Sequence, residues 1–187
     1  MIKEFEKRDI KLINKIILSG TLIIFLLSSL FHFLFNITGG STIAAIFFPV
    51  NESVFEHLKL VLYPSIIFWI ASYFILNKNY KISFSKWVIS MTLSIITNML
   101  FILACFYVAR YAFNIESLIL DILSILIGSF LGQLLGMHFY NNGQKNIFLS
   151  SICILLIIIM CISFANFTFY PPKLPLFMEL SSGKYGI

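Results

Sequence analysis

Charge is what this chain has least of: only 11% of its 187 residues are Asp, Glu, Lys or Arg, against 59% that are hydrophobic. A soluble domain carries about 25% charged and 45–50% apolar residues, so the scarcity excludes a water-soluble globule and points to a bilayer. The formal net charge of +5 has no basic surface patch to carry it, which excludes a nucleic-acid partner. Cysteine is equally sparse. Cys105, Cys153 and Cys161 are odd in number and lie inside apolar runs, a spacing that fits neither a disulfide framework nor a zinc ribbon. They read as small buried hydrophobes. A cleavable signal peptide is missing too, because the first apolar run is too long and no small-residue cleavage site follows it.

What is present is length without charge. A spanning helix needs about 20 mostly apolar residues, and five runs qualify: Leu12–Phe35, Val54–Leu76, Trp87–Ala109, Ser117–Tyr140 and Ile147–Phe169. A further segment, Thr42–Phe48, is too short to cross and ends at Pro49, so it reads as interfacial or re-entrant. The expected fold is an all-α, polytopic membrane helix bundle in one domain, with a tail over 170–187. Cations set its direction. Lys3, Lys7, Arg8, Lys11, Lys15, Lys78, Lys81, Lys86 and Lys145 flank one side, and Arg110, Lys173, Lys184 and the recessed Lys59 the other. By the positive-inside rule the N-terminus is cytoplasmic and the C-terminus lies outside. His32, Asn51–Lys59, Arg110 and Asp121 then converge on one membrane level.

The densest polar cluster is "FFPVNESVFEHLKL", Phe47 to Leu60. Ser53 followed by Glu56 fits a capping box, in which side chains satisfy free backbone N–H groups at a helix start. That explains one carboxylate and leaves Glu52, His57 and Lys59. At 100° per residue Glu52, Glu56, Lys59 and Tyr63 fall within about 60° of each other, while His57 stands about 100° from Glu56. An ionisable group at mid-bilayer costs about 2.5–3.5 kcal/mol on insertion scales, so a protein that holds several turns them inward. Two readings remain open: a functional pocket, or a charge network that closes the outer end. In "DILSILIGSFLGQLLG" the residues Asp121, Ser124, Gly128, Gly132 and Gly136 share a face. Small-xxx-small spacing permits close helix approach; the seam serves internal packing, or contact with a second copy or partner subunit. Asp121 crowns it, either as a structural aspartate or as a site carboxylate. Ser90, Ser94, Thr97 and Asn98 read as interhelical hydrogen-bonding groups, and the fifth span as lipid-facing.

Two chemistries compete for the cluster. Glu52, Glu56, His57, Lys59 and Asp121 form a catalytic acid/base set, with Asn51, Ser53, Tyr63 and Arg110 as substrate contacts. His32, Glu56 and His57 are the candidate ligands of a divalent metal such as zinc, which accepts imidazole and carboxylate and activates a bound water. The substrate would be lipid-like, and the reaction hydrolysis or transfer. E-x-x-x-E-H is not the H-E-x-x-H signature, so the motif alone does not name a metalloenzyme. Alternatively the same groups bind a solute or ion for transport, although no inverted repeat is recognisable; a non-catalytic subunit of a membrane assembly is the third reading.

"PVNESVFEHLK", with "YP" following and the tail "PPKLPLFMELSSGKYGI", resembles the signature of a family of small bacterial membrane proteins, a domain of unknown function with a P-V-N-E-S-V-[WF]-E-H-x-K core. Asn51, Glu52, Ser53, Glu56, His57 and Lys59 match it, and Phe55 stands where tryptophan is commoner. The resemblance implies a multi-pass protein of the bacterial cytoplasmic membrane and implies no activity. The tail carries Tyr170, Leu174, Leu176, Phe177 and Met178 beside three prolines. Such a segment is too apolar for a disordered tail and is expected to fold back over the outer mouth, bringing Lys173, Glu179 or Lys184 near Glu52 and Arg110; the alternative is a tail lying along the lipid headgroups.

Overall fold

The computed structural model describes the backbone of residues 2–179 and 181–187, with side chains from Asp9 onward; the side chains of Lys3, Lys7 and Arg8 lie outside the described residues. The chain is all-α: α1 (Ile2–Ile37), α2 (Thr42–Phe47), α3 (Val54–His57), α4 (Lys59–Asn77), α5 (Phe84–Tyr107), α6 (Leu118–Asn142) and α7 (Ile147–Phe169). A π turn, Val108–Ala112, extends α5, and a 3₁₀ turn, Pro175–Phe177, lies in the tail. Five helical stretches are long and apolar enough to cross a membrane: Asp9–Ile37, Val54–Asn77, Phe84–Ala112, Leu118–Asn142 and Ile147–Phe169. They coincide with the five apolar runs of the sequence. The short segment is the six-residue α2, capped by the Ser41 hydroxyl.

The centre of the bundle is the α5–α6 pair, and the glycines make it. A Cβ on Gly136 would meet the Ser90 carbonyl at 2.9 Å, and Gly128 and Gly132 lie still more tightly against Asn98 and Ser94. Polar rungs cross the same seam: Ser94 Oγ donates to Gln133 Oε1 at 3.0 Å, and Asn98 Nδ2 to Ser129 Oγ at 2.9 Å. The glycine face is therefore packed against α5 of the same chain. Close approach in lipid has no hydrophobic drive and depends on packing and such hydrogen bonds. In α7 a stripe of Ser150, Cys153, Ile157, Phe164 and Thr168 is buried; the remaining faces keep the exposure expected of a lipid-facing helix.

α4 contains Pro64. Proline has no N–H, so the carbonyl four residues earlier loses its helical donor, and at membrane depth no water replaces it. That carbonyl belongs to Leu60, and the buried Ser28 hydroxyl of α1 is placed to donate to it, sharing its one proton with the Ile24 carbonyl at 2.7 Å. One hydroxyl thus repairs the proline break and ties α1 to α4. Ser28→Ala is expected to lower unfolding free energy by about 1–2 kcal/mol. In a Pro64→Ala background, where the backbone N–H returns, the same change should cost clearly less; a double-mutant cycle by thermal unfolding in detergent checks this, and equal costs would refute the assignment.

Candidate functional site

The residues around Asn51–Lys59 divide into two sets that face apart. Ser53 is the N-cap of α3, in extended backbone (φ −73°, ψ 150°), and its hydroxyl accepts from the Glu56 N–H at 3.3 Å. Only half of the capping box forms, because the Ser53 N–H goes to Asn51 Oδ1 at 2.9 Å. The Glu56 carboxylate is taken up elsewhere. Its Oε2 accepts from Lys59 Nζ at 2.7 Å and from the Val50 N–H at 3.1 Å, and its Oε1 accepts from the Thr168 hydroxyl at 2.8 Å.

Lys59 is 0% exposed and Glu56 2%. Beyond Glu56, the ammonium donates to the carbonyls of Ala45 at 2.7 Å and Phe48 at 3.4 Å, at the end of α2. All three of its donors are thus engaged, and a cation suits a helix C-terminus. This is a sealed knot joining α2, α3, α4 and α7. Breaking a buried pair on one side leaves an uncompensated charge, a cost of about 3–5 kcal/mol. Glu56→Gln and Lys59→Met are each expected to lose that much stability, and the double variant much less. Additive losses on thermal melts in detergent would contradict the knot.

The second set lines a cavity of about 350 Å³ between α1, α3, α4, α5 and α6. His32, Glu52, His57, Arg110, Glu116, Ser117, Asp121 and Ser124 supply its polar groups, and residues such as Leu60, Ile102, Phe106, Ile122 and Ile125 its apolar wall. On one side three ligand-type atoms meet. His57 Nε2 lies 3.3 Å from His32 Nε2 and 3.1 Å from Glu52 Oε2, and His32 Nε2 lies 3.7 Å from the same oxygen. Hydrogen bonding to His32, and then to His57, holds the Glu52 carboxyl well below the usual carboxylate range. On the other side Arg110 Nη2 donates to Asp121 Oδ2 at 3.2 Å, with the guanidinium 4.0 Å above the Phe106 ring.

The structure groups the candidate residues differently from the sequence reading. The carboxylate beside the His32 and His57 imidazoles is Glu52, where the sequence reading places Glu56. Helical phase does not extend back through the extended Ser53, so Glu52 and Glu56 do not share a face. Lys59 and Glu56 sit in the knot, out of reach of the cavity. Asn51 Nδ2 donates to Gly186 O at 2.9 Å, and Tyr63 packs on Phe47 with ring centroids 5.3 Å apart. Neither residue, nor Ser53, lines the cavity. His32, Glu52, His57, Arg110 and Asp121 do come together. Sequence reasoning missed Glu116 and Ser117, although both stand within a turn or so before Asp121. It also missed Thr168, hidden as one hydroxyl in an apolar run.

The tail folds back as expected, but beside the cavity and not across it. Met178 and Tyr185 form an isolated antiparallel bridge, and Gly183 and Gly186 have positive φ of 67° and 60°. Phe177 packs on Phe55 with centroids 4.4 Å apart, and Glu179 Oε1 accepts the Glu52 N–H at 3.2 Å. The approach to Glu52 is made by Glu179; Leu180 lies outside the described residues.

Fold and site define a helical, multi-pass membrane protein with a carboxylate–imidazole cluster at one end of its bundle. The chain belongs to the family described as a family of unknown function (DUF6512), whose model matches residues 5–187. No curated protein and no solved structure matches it.

Proposed function

We propose that this protein is a metal-dependent hydrolase or transferase acting on a lipid-like molecule, with His32, His57 and Glu52 holding one divalent ion. The observation that carries the reading is the meeting of two imidazole nitrogens and one carboxylate oxygen beside a cavity with an apolar wall. Bonds of about 2.0–2.2 Å in a tetrahedral zinc site place neighbouring ligand atoms roughly 3.3–3.5 Å apart. The separations of 3.1, 3.3 and 3.7 Å bracket that spacing. Two histidines and a glutamate leave a fourth position for water, and zinc lowers the pKa of such a water to about 7.

A divalent ion held by these three residues would supply an activated water for ester hydrolysis, or an activated acceptor hydroxyl for transfer; as the ester bond broke, one proton of that water would end on the departing oxygen and the other in solvent. Arg110 and Asp121, across the cavity, serve to orient the polar head of the substrate, while Leu60, Ile102 and Ile125 accommodate its hydrocarbon. Membrane lipids are the natural surroundings of such a substrate.

Purified protein incubated with zinc and then desalted should retain about one ion per chain, a stoichiometry set by one three-ligand site. His32→Ala, His57→Ala and Glu52→Gln should each lose most of it, whereas Glu56→Gln protein that remains folded keeps it. Retention should fall on acidification, because protonated imidazoles are no longer ligands. Zinc binding unchanged in His57→Ala, or no retention by the wild type, would sink the reading.

We also propose a bacterial cytoplasmic membrane with the N-terminus inside, on the strength of the nine cations that flank that side against four on the other. The cavity then opens outward. A reporter that works only outside the cell should be active when fused after Ile187; activity of a cytoplasm-only reporter there would reverse the orientation.

A further inference from the structure

Arg110 stands out among the cavity residues because its charge is held but not used up. Guanidinium carries five N–H donors in a planar fork that matches oxyanions. Among the described residues one contact is made, from Nη2 to a single Asp121 oxygen at 3.2 Å. A bidentate pair would have closed the fork; this one leaves it open. The Phe106 ring, 4.0 Å below, supports the guanidinium on its face and supplies no acceptor for its edge. Arg110 is 21% exposed and lines the cavity with Ile102, Phe106, Ile122 and Ile125, whose side chains offer no acceptor, and with Glu116, Ser117 and Ser124. Its remaining donors have no partner among the described hydrogen bonds.

We infer that the cavity binds a phosphate-headed amphiphile, with the phosphate held between Arg110 and the His32–Glu52–His57 centre. For one of its two anchors the inference rests on the metal reading above. A phosphate group offers oxygens in several directions and can bridge two cationic anchors on different walls, which a planar carboxylate does less well. The cavity's other charges do not oppose this. Asp121 meets Arg110 through one contact and is 46% exposed, so it offsets the guanidinium only in part; a divalent ion would outweigh Glu52, and Glu116 is exposed at the rim, where solvent screens it. The hydrocarbon has a path as well. Leu118 and Ile122 line the cavity and are also exposed on the outside of the bundle, 72% and 43%, so the cavity borders the apolar outer surface.

The test is a binding titration on zinc-loaded protein in a neutral long-chain detergent, with dodecyl phosphate, dodecyl glycerol and inorganic phosphate as probes. Dodecyl phosphate should bind at 1:1 and at least about tenfold more tightly than either other probe, with Arg110→Gln and Arg110→Lys each losing about tenfold. Zinc content should stay unchanged in both variants. Arg110→Lys keeps the charge without the fork, and it decides the matter if Arg110→Gln fails to give a cooperative melt. Equal binding of dodecyl phosphate and dodecyl glycerol overturns the anion site, even where zinc is bound. Equal binding of inorganic phosphate shows a site for the free anion and overturns the amphiphile. Arginine-dependent binding of dodecyl phosphate by protein that takes up no zinc would keep the anion site and remove the metal.

Discussion

The buried pair of Glu56 and Lys59 is the contact on which the rest of this end of the molecule depends. Two charges removed from water are costly unless every lone pair and proton finds a partner. Here the partners come from α2, the segment before α3, and α7. The carbonyls of Ala45 and Phe48 take the ammonium, while the Val50 N–H and the Thr168 hydroxyl take the carboxylate. No one helix could satisfy the pair. Its energetic demand therefore draws four separate pieces of chain to one point, and the loop between α2 and α3 has little freedom left.

That constraint positions Glu52. The loop carrying it runs from Pro49, just after α2, to the N-cap Ser53, and both ends are tied to the knot. The Glu52 backbone N–H is further held by Glu179, so its side chain is presented to His32 and His57 from a fixed origin. Structural and chemical groups are adjacent in sequence yet separated in space. Carboxylates four residues apart serve opposite purposes: Glu56 is sealed and holds the architecture, while Glu52 opens on the cavity. Precise geometry in a site depends on such supporting contacts behind it.

Much of the fold was legible because its rules are local. Twenty apolar residues make a span wherever they occur, and glycines at every fourth position of α6 mark a close helix contact. The site was legible only as a level in the membrane, since the alternation of spans brings His32, His57, Arg110 and Asp121 to one end. Which carboxylate joins the histidines was not legible. Helical phase does not carry through Ser53, where the backbone is extended and the phase restarts at the cap. Thr168 could not be picked out, because a hydroxyl late in an apolar helix has many equivalent uses, and its actual one spans 112 residues. The destination of the glycine seam, internal or external, also depends on long-range packing that periodicity does not encode.

The distances in sequence that these contacts bridge bear on how the molecule comes into being. Helical hairpins can enter a bilayer in turn, each satisfying its own backbone. The knot cannot form in that way. Glu56 waits for Thr168, and Asn51 for Gly186, across separations of 112 and 135 residues. Until α7 arrives, a chain with four inserted helices holds Glu56 and Lys59 without their last hydrogen-bond partner. Contacts of such high order form late. The support behind the cluster is therefore complete only when α7 and the segment after it have reached the same face of the membrane.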